Sequence, residues 1–267
     1  MTVDITFHPD KRTQQYFTSR SVEKLDSGTS EFTSVKEKEI LMSASTPAFW
    51  EHLWRTAGIQ SVFCFIVAYF VYGSQPHVGA SAEALTAFYD GNRMRILIAA
   101  VFFGFAVLNL MWFAAALRTT LADAAQDGWG GAATTSSAAV GALFLLLTSV
   151  PAAIAYSIAG SGNHTFTSGL NDLAWAGVVL TSFPRAMLIM AGSFGFWRAR
   201  FFSNAAFAAC VGAVVLVLLG GTTWLSGGFW ARDGAYSRFV SPIICLVWVL
   251  VVSRELLTRR PATRAGW

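Results

Sequence analysis

The chain has 267 residues, of which 54% are hydrophobic and 13% are charged, about half the charged fraction of an ordinary soluble domain. This composition argues against a soluble globular domain and predicts an all-α fold, a polytopic transmembrane helix bundle. The net charge is +4, but the basic residues flank apolar segments and form no single polar face, which argues against a nucleic-acid-binding surface.

The N-terminal region is polar, mixed in charge and rich in Ser and Thr, which predicts a disordered cytoplasmic tail. An amphipathic helix at the membrane interface is predicted next, with Thr46 as N-cap and Pro47 at its first position. The predicted segments are therefore a tail at 1–45, an interfacial helix at 46–56, a six-helix transmembrane domain at 57–258 and a basic cytoplasmic tail at 259–267.

Six apolar segments each approach the roughly 20 residues that are needed to cross the hydrocarbon of a bilayer. Lys and Arg are more numerous in the flanks on one side, and the positive-inside rule assigns that side to the cytoplasm. We therefore predict a multi-pass protein of the cell (inner or plasma) membrane with both termini cytoplasmic. The predicted spans are Ala57–Tyr72, Ile96–Leu117, Ala138–Ala159, Leu173–Trp197, Ala205–Leu225 and Phe239–Leu257.

The segments that connect the spans carry two local predictions. After the first span, Ser81 is followed by Leu85 and Tyr89 at helical spacing, which predicts a short helix on the outer surface. The inner stretch ADAAQDGWGGAATTSS is rich in Gly and Ala and is predicted to be a flexible loop. In the fifth span, small-xxx-small spacing favours packing within the bundle, with self-association as the alternative; its residues are Ala205, Ala208, Ala209, Gly212 and Ala213.

Pro184 and Arg185 interrupt the apolar run of the fourth span. Arg185 would lie roughly 18 Å from either end of an unbroken helix, too deep to reach water easily, and arginine does not lose its proton. The apolar cores contain no Asp or Glu. Neutral groups at similar depth are therefore the predicted partners: Asn109, Thr148, Ser149 and the carbonyls near Thr181 that are freed where Pro184 kinks the helix.

Two interpretations of Arg185 are open from the sequence. In the first, the neutral groups satisfy Arg185 as a structural tie between the second, third and fourth spans. In the second, Arg185 faces a cavity and binds an anionic group such as a carboxylate or a lipid phosphate, because intramembrane charges often mark binding sites. The candidate ligand-binding residues are Arg185, Asn109, Thr148, Ser149 and Thr181.

Other kinds of site are not indicated by the sequence. The four histidines show no metal-ligand spacing, and the three cysteines lie singly within apolar runs. No lysine lies within a span, and no nucleophile–base arrangement or phosphate-binding glycine loop occurs. We therefore expect no metal, no cofactor and no enzymatic activity.

The block SAEALTAFYDGNRMRILIAAVFFGFAVLNLMWFAAALR is followed later in the chain by LNDLAWAGVVLTSFPRAMLIM. This combination resembles a group of uncharacterised bacterial six-helix integral membrane proteins. The features in common are a short acidic and aromatic outer helix, an Arg at the start of the second span and an Asn-Asp start to the fourth. The resemblance covers about residues 57–258 and implies no particular activity.

The expected function is that of a non-enzymatic membrane component or accessory subunit that binds an amphiphile or an anionic headgroup near Arg185. The alternative is a small-molecule or lipid transporter, or a subunit of one, which would need a water-accessible cavity that reaches Arg185. A membrane-embedded enzyme is the third candidate. Expected partners are membrane lipids, together with a membrane-protein complex or a homo-oligomer, and no nucleic acid.

Overall fold

The computed structural model describes residues 54–225 and 227–258. The predicted tail at 1–45, nearly all of the predicted interfacial helix at 46–56 and the basic tail at 259–267 lie outside the described residues. In the part that is described, the regular structure is helical, apart from an isolated bridge between Leu225 and Ala231. The predicted all-α fold class is therefore confirmed.

The described residues form eight α-helices, some of which continue into short π or 3₁₀ turns. A π turn at Ile154–Ile158 and a 3₁₀ turn at Ala159–Ser161 extend α4, a 3₁₀ turn at Gly220–Thr222 extends α7, and a π turn at Tyr236–Val240 precedes α8. The helices are α1 Ala57–Tyr72, α2 Ala82–Tyr89, α3 Arg93–Asp123, α4 Asp127–Ala153, α5 His164–Leu180, α6 Ser182–Arg198, α7 Asn204–Leu219 and α8 Ser241–Thr258.

Five of these helical runs are long and apolar enough to cross a membrane. They are α3, α4 with its extension, α5 together with α6, α7 with its extension, and the run that ends in α8. The apolar helix α1 is shorter, with 16 residues. These lengths support a multi-pass membrane protein, because the hydrocarbon core of a bilayer requires roughly 20 apolar residues per helix.

Helix α2 confirms the helix that was predicted after the first span. Ser81 is its N-cap, because the Ser81 hydroxyl oxygen accepts a hydrogen bond from the Ala84 backbone N–H at 3.3 Å. Leu85 and Tyr89 are buried on its inner face, in a small apolar cluster with Ile96 at the start of α3. This cluster attaches α2 to the end of the bundle.

The segment between α3 and α4 corrects a prediction. Most of the stretch that was predicted to be a flexible loop is the beginning of α4, which starts at Asp127. A Cβ atom on Gly130 would lie 3.1 Å from the Cα atom of Arg118, so the small residues allow α3 and α4 to approach closely. Tertiary packing here overrides the low intrinsic helix propensity of glycine.

The apolar core lies between α3, α6 and α8 and includes Phe113, Leu188 and Trp248. Helix α7 packs against α6 but leaves most of its surface exposed. The small residues on α7 that were predicted to pack within the bundle are largely on that exposed surface, and a Cβ atom on Gly212 would meet nothing within 4 Å. Only Ala213 of the set packs against the core, so the interpretation as an intramolecular packing face is wrong for the others; they are Ala205, Ala208, Ala209 and Gly212.

Candidate functional site

A cavity of about 490 Å³ lies between α1, α3, α4, α5, α6 and α8. Its volume falls in the range of roughly 300–1,000 Å³ that is typical of small-molecule sites. Apolar side chains such as Phe65, Phe144 and Leu246 make up most of the lining, and none of the described lining residues is acidic. The polar lining residues include Arg185, Arg238, Gln75, Thr148, Thr181 and Ser237.

Arg185 lies in the first turn of α6, directly after a one-residue interruption at Thr181 that separates α5 from α6. Pro184 has no backbone N–H, so it cannot donate the hydrogen bond that a helix would direct to the carbonyl of Leu180. The interruption at Thr181 places the carbonyl groups of Val178 and Thr181 beside the guanidinium of Arg185, where each accepts a bond from it in addition to another donor: the Thr181 hydroxyl for Val178 and the Arg185 backbone N–H for Thr181.

The Arg185 side chain is buried, with 3% of its surface exposed. Its Nε donates to the carbonyl oxygen of Thr181 at 3.1 Å, and its Nη2 donates to the carbonyl oxygen of Val178 and to the hydroxyl oxygen of Ser182, each at 3.4 Å. Its Nη1 makes no hydrogen bond to any residue that the structure describes. The observed partners therefore belong to the same pair of helices, and one guanidinium nitrogen is left for the cavity.

The structure separates the five predicted site residues into two groups. Thr148 and Thr181 line the cavity together with Arg185. Asn109 and Ser149 do not line it: the Asn109 amide donates to the carbonyl oxygen of Phe105 at 2.9 Å, and Ser149 is exposed. The tie between the second, third and fourth spans that was predicted for Arg185 is not formed, because each neutral side chain bonds within its own helix.

A second arginine, Arg238, lines the same cavity and was not singled out from the sequence. Its guanidinium lies over the ring of Trp175 at 4.7 Å, and its Nη2 donates to the carbonyl oxygen of Gln75 at 3.2 Å. Its Nε is buried and makes no hydrogen bond to the residues that the structure describes. Its place at the start of the last span, on the side that the positive-inside rule leaves poor in arginine, was the available signal.

The segment 73–81 between α1 and α2, which we call the α1–α2 connection, lies across one end of the cavity. Gly73, Ser74 and Gln75 contribute to the cavity lining. The indole Nε1 of Trp175 donates to the carbonyl oxygen of Pro76 at 2.9 Å. Further hydrogen bonds join this connection to the helices and loops beside it: Asn171 Nδ2 to the His77 carbonyl oxygen at 3.4 Å, and the Val78 N–H to Asp233 Oδ2 at 3.1 Å.

The side of the cavity between α1 and α8 is formed by apolar residues that are also exposed on the protein surface. Ile66 on α1 and Ile243 on α8 both line the cavity, and they are 44% and 53% exposed. Phe70 on α1 and Phe239 in the π turn before α8 also line the cavity and are exposed on the surface. The cavity therefore extends to the surface of the bundle between these two helices.

Comparison of the chain with protein-family models, with curated proteins and with solved structures found no match. Among the described residues, no group of three or more His, Cys, Asp or Glu side chains is placed to hold a metal ion. The functional argument therefore rests on the cavity and on the chemistry of its two arginines.

Proposed function

We propose that the protein is a non-enzymatic membrane component or accessory subunit that binds an amphiphile in this cavity, with Arg185 as the partner of an anionic headgroup. The observation that carries the proposal is a buried guanidinium with an unbonded Nη1 and no acidic partner in the described part of the chain. A carboxylate or phosphate oxygen would provide the charged acceptor that Arg185 lacks, and such charge-assisted hydrogen bonds are about twice as strong as neutral ones.

The apolar cavity wall suits the tail of such a ligand but cannot by itself select it. Lipid tails are as apolar as Phe65 and Leu246, so moving a tail from the bilayer into the cavity gains little. The difference between an anionic amphiphile and the surrounding lipids must therefore come from the headgroup. We therefore propose that Arg185 provides the specificity of the site.

The test is a ligand inventory of the parent protein and of Arg185→Gln, purified in parallel and analysed by mass spectrometry. We expect the parent to carry an acidic amphiphile that the variant lacks. The variant should fold at least as well as the parent, because removing a buried charge relieves its desolvation cost. Arg118→Gln is the matched control, since Arg118 is an exposed arginine outside the cavity lining, and this variant should keep the ligand. Identical inventories with a lower melting temperature in Arg185→Gln would contradict the proposal.

Transport of a small molecule or lipid is the second candidate. It is favoured by the polar lining at the end of the cavity that the α1–α2 connection covers, where Ser74, Gln75 and Arg238 lie. Proteoliposomes with a labelled acidic lipid distinguish the two functions. A transporter would move the label between leaflets or compartments, whereas a binding component would retain it without net movement.

A further inference from the structure

We infer that the ligand is a long-chain fatty acid that enters the cavity sideways from the bilayer, through a lateral window between α1 and α8, and that its carboxylate meets Arg238 before it reaches Arg185. The inference rests on the proposed function and adds to it the ligand class and the route of access.

Contacts between α1 and α8 define the two ends of the window. At one end the helices are closely packed, because a Cβ atom on Gly58 would lie 2.0 Å from the hydroxyl oxygen of Ser253. At the other end the rings of Tyr69 and Phe239 are in edge-to-face contact, with centroids 6.1 Å apart. The lateral window is the stretch between these contacts, and the Tyr69–Phe239 ring pair closes it at the end where the headgroup enters.

The walls of the lateral window are apolar and exposed. Ile66 and Ile243 lie on its two sides and are both cavity-lining and surface residues. An apolar opening at this depth in a membrane-spanning bundle faces lipid tails, which match it chemically. An aqueous anion would have to lose its hydration shell there with nothing to offset the cost. The tail of a fatty acid is already in the hydrocarbon, and its carboxylate exchanges hydration for Arg238, which lies beside the Tyr69–Phe239 end of the window.

The alternative path, from water at the end of the bundle, is obstructed by the α1–α2 connection. Side chains on α5 hold this connection in place through Trp175 and Asn171, and Arg238 bonds to its Gln75 carbonyl. Opening this end would break these hydrogen bonds together. The contact between Tyr69 and Phe239, by contrast, is an edge-to-face contact of two rings that are both partly exposed.

Arg238 lies beside the lateral window and is the first cation that a ligand meets there. It is the sequence neighbour of Phe239, and its buried Nε has no hydrogen-bond partner within 54–225 and 227–258. Arg185 lies within electrostatic range of Cys245, a buried cavity residue. Cys245 follows Arg238 by seven residues, or about 10 Å along a helix. A carboxylate that passes the Tyr69–Phe239 contact therefore finds one cation at the window and the second deeper in the cavity.

The cavity favours one acyl chain over two. A volume of about 490 Å³ suits a single drug-sized molecule, whereas a two-chain phospholipid would leave a chain in the bilayer. Two arginines with no acidic lining residue complement an anionic headgroup, and a neutral or purely apolar occupant would leave both cations unpaired. A long-chain fatty acid satisfies both conditions.

An order-of-addition experiment tests the route. Tyr69→Cys and Phe239→Cys are combined in a background that carries Cys64→Ser, Cys210→Ser and Cys245→Ala, so that a short bifunctional thiol reagent can join α1 to α8. The probe is a palmitate analogue with a photoreactive diazirine in its tail, in phosphatidylcholine vesicles that contain the protein. Mass spectrometry locates the photolabelled peptides.

Cross-linking before the probe is added should lower labelling of cavity residues at least fivefold, whereas cross-linking after the probe is added should leave labelling unchanged. The matched control is Trp197→Cys with Phe207→Cys, another pair of aromatic rings in contact, at 4.7 Å and outside the cavity lining. Its labelling should not depend on the order of addition.

Three single variants distinguish the two positions of the headgroup and test the route without the cysteine pair, which could itself misfold. Arg238→Gln should slow labelling severalfold and leave its final level unchanged, whereas Arg185→Gln should lower the final level. Ile243→Trp, which narrows the lateral window without a cross-link, should also slow labelling.

Equal cavity labelling in both orders of addition, with no slowing in Ile243→Trp, would overturn the lateral route while the proposed function survived. An unmodified parent that is never labelled in the cavity, with no acidic amphiphile in its ligand inventory, would overturn both.

Discussion

Trp248 illustrates how a single polar group is accommodated deep within the bundle. Its indole Nε1 donates to the hydroxyl oxygen of Ser193 at 2.9 Å, and both residues are buried. The same indole packs edge-to-face against Phe113, with ring centroids 6.1 Å apart. This one hydrogen bond therefore joins α6 to α8 at the centre of the apolar core.

We expect Trp248→Phe and Ser193→Ala each to destabilise the bundle, with a coupling energy of about 0.6–1.7 kcal/mol between them, as for other interhelical hydrogen bonds in membranes. The measurement is a double-mutant cycle in mixed micelles, with unfolding driven by SDS. Trp224→Phe paired with Ser193→Ala is the control, because Trp224 bonds to the nearby carbonyl of Gly221. Additive effects for the Trp248 pair would show that the bond adds nothing.

Gly58 is the residue at which α1 is most sensitive to added volume. A Cβ atom there would lie 2.0 Å from Ser253 Oγ and 2.7 Å from a ring carbon of Phe113. We expect Gly58→Ala to cost about 1–3 kcal/mol through overpacking, measured by the same SDS unfolding. Gly212→Ala, at a helical glycine with nothing within 4 Å, should be neutral or stabilising. A stable Gly58→Ala protein would mean that α1 and α8 can separate at little cost.

At the scale of the element, the first turn of α2 carries a titratable carboxyl group, that of Glu83. Hydrogen bonds from the backbone N–H of Glu83 and from the Ser81 hydroxyl hold the pKa of the Glu83 carboxyl below its ordinary value. Because the folded pKa is lowered, the stabilisation is fully present above the unfolded pKa of about 4.3 and is lost as the pH falls through the folded value.

We therefore expect amide exchange in α2 to accelerate, after correction for the intrinsic pH dependence, as the pH falls below about 4.3. Hydrogen–deuterium exchange with mass spectrometry measures this for the peptide that contains residues 82–89. Glu83→Gln should remove the dependence, and Ser81→Ala should weaken α2 at every pH because the N-cap is lost. A pH dependence that persists in Glu83→Gln would assign the effect to another group.

The elements also show what the sequence could and could not predict. Hydrophobic length located the spans, and capping chemistry located α2 at Ser81. Counting residues along a helix gives depth but not the direction in which a side chain points. Asn109 was therefore predicted at the level of Arg185, although it bonds within its own helix. The beginning of α4 was missed because its glycines indicate a loop unless the neighbouring helix is known.

At the scale of the whole molecule, the positive-inside rule predicts which side each helix end faces, and this prediction can be tested at the two ends of one helical run. Gly128 and Ser161 are exposed near opposite ends of the run Asp127–Ser161. They are 33 residues apart in the sequence, or about 50 Å along a helix, which exceeds the thickness of a bilayer.

In a background without cysteines, we expect Ser161→Cys to react with a membrane-impermeant maleimide on intact cells, and Gly128→Cys to react only after permeabilisation. The physical reason is the excess of Lys and Arg on the side that carries the α3–α4 connection. Reporter fusions at Gly162 and Gly266 should likewise lie on opposite sides. The reverse labelling pattern would show that the spans are correct and that the protein has the opposite orientation in the membrane.

The helix break at Thr181 also bears on how the chain first enters the bilayer. The acceptors of Arg185 are the hydroxyl and carbonyl groups three, four and seven residues before it in the sequence. A nascent segment that leaves the translocon therefore already contains hydrogen-bond acceptors for the guanidinium. They are present before any later helix has been synthesised or has packed against it. Insertion of this charged segment therefore does not depend on acceptors from other helices, and Nη1, which has no hydrogen-bond partner among the described residues, stays available in the assembled bundle.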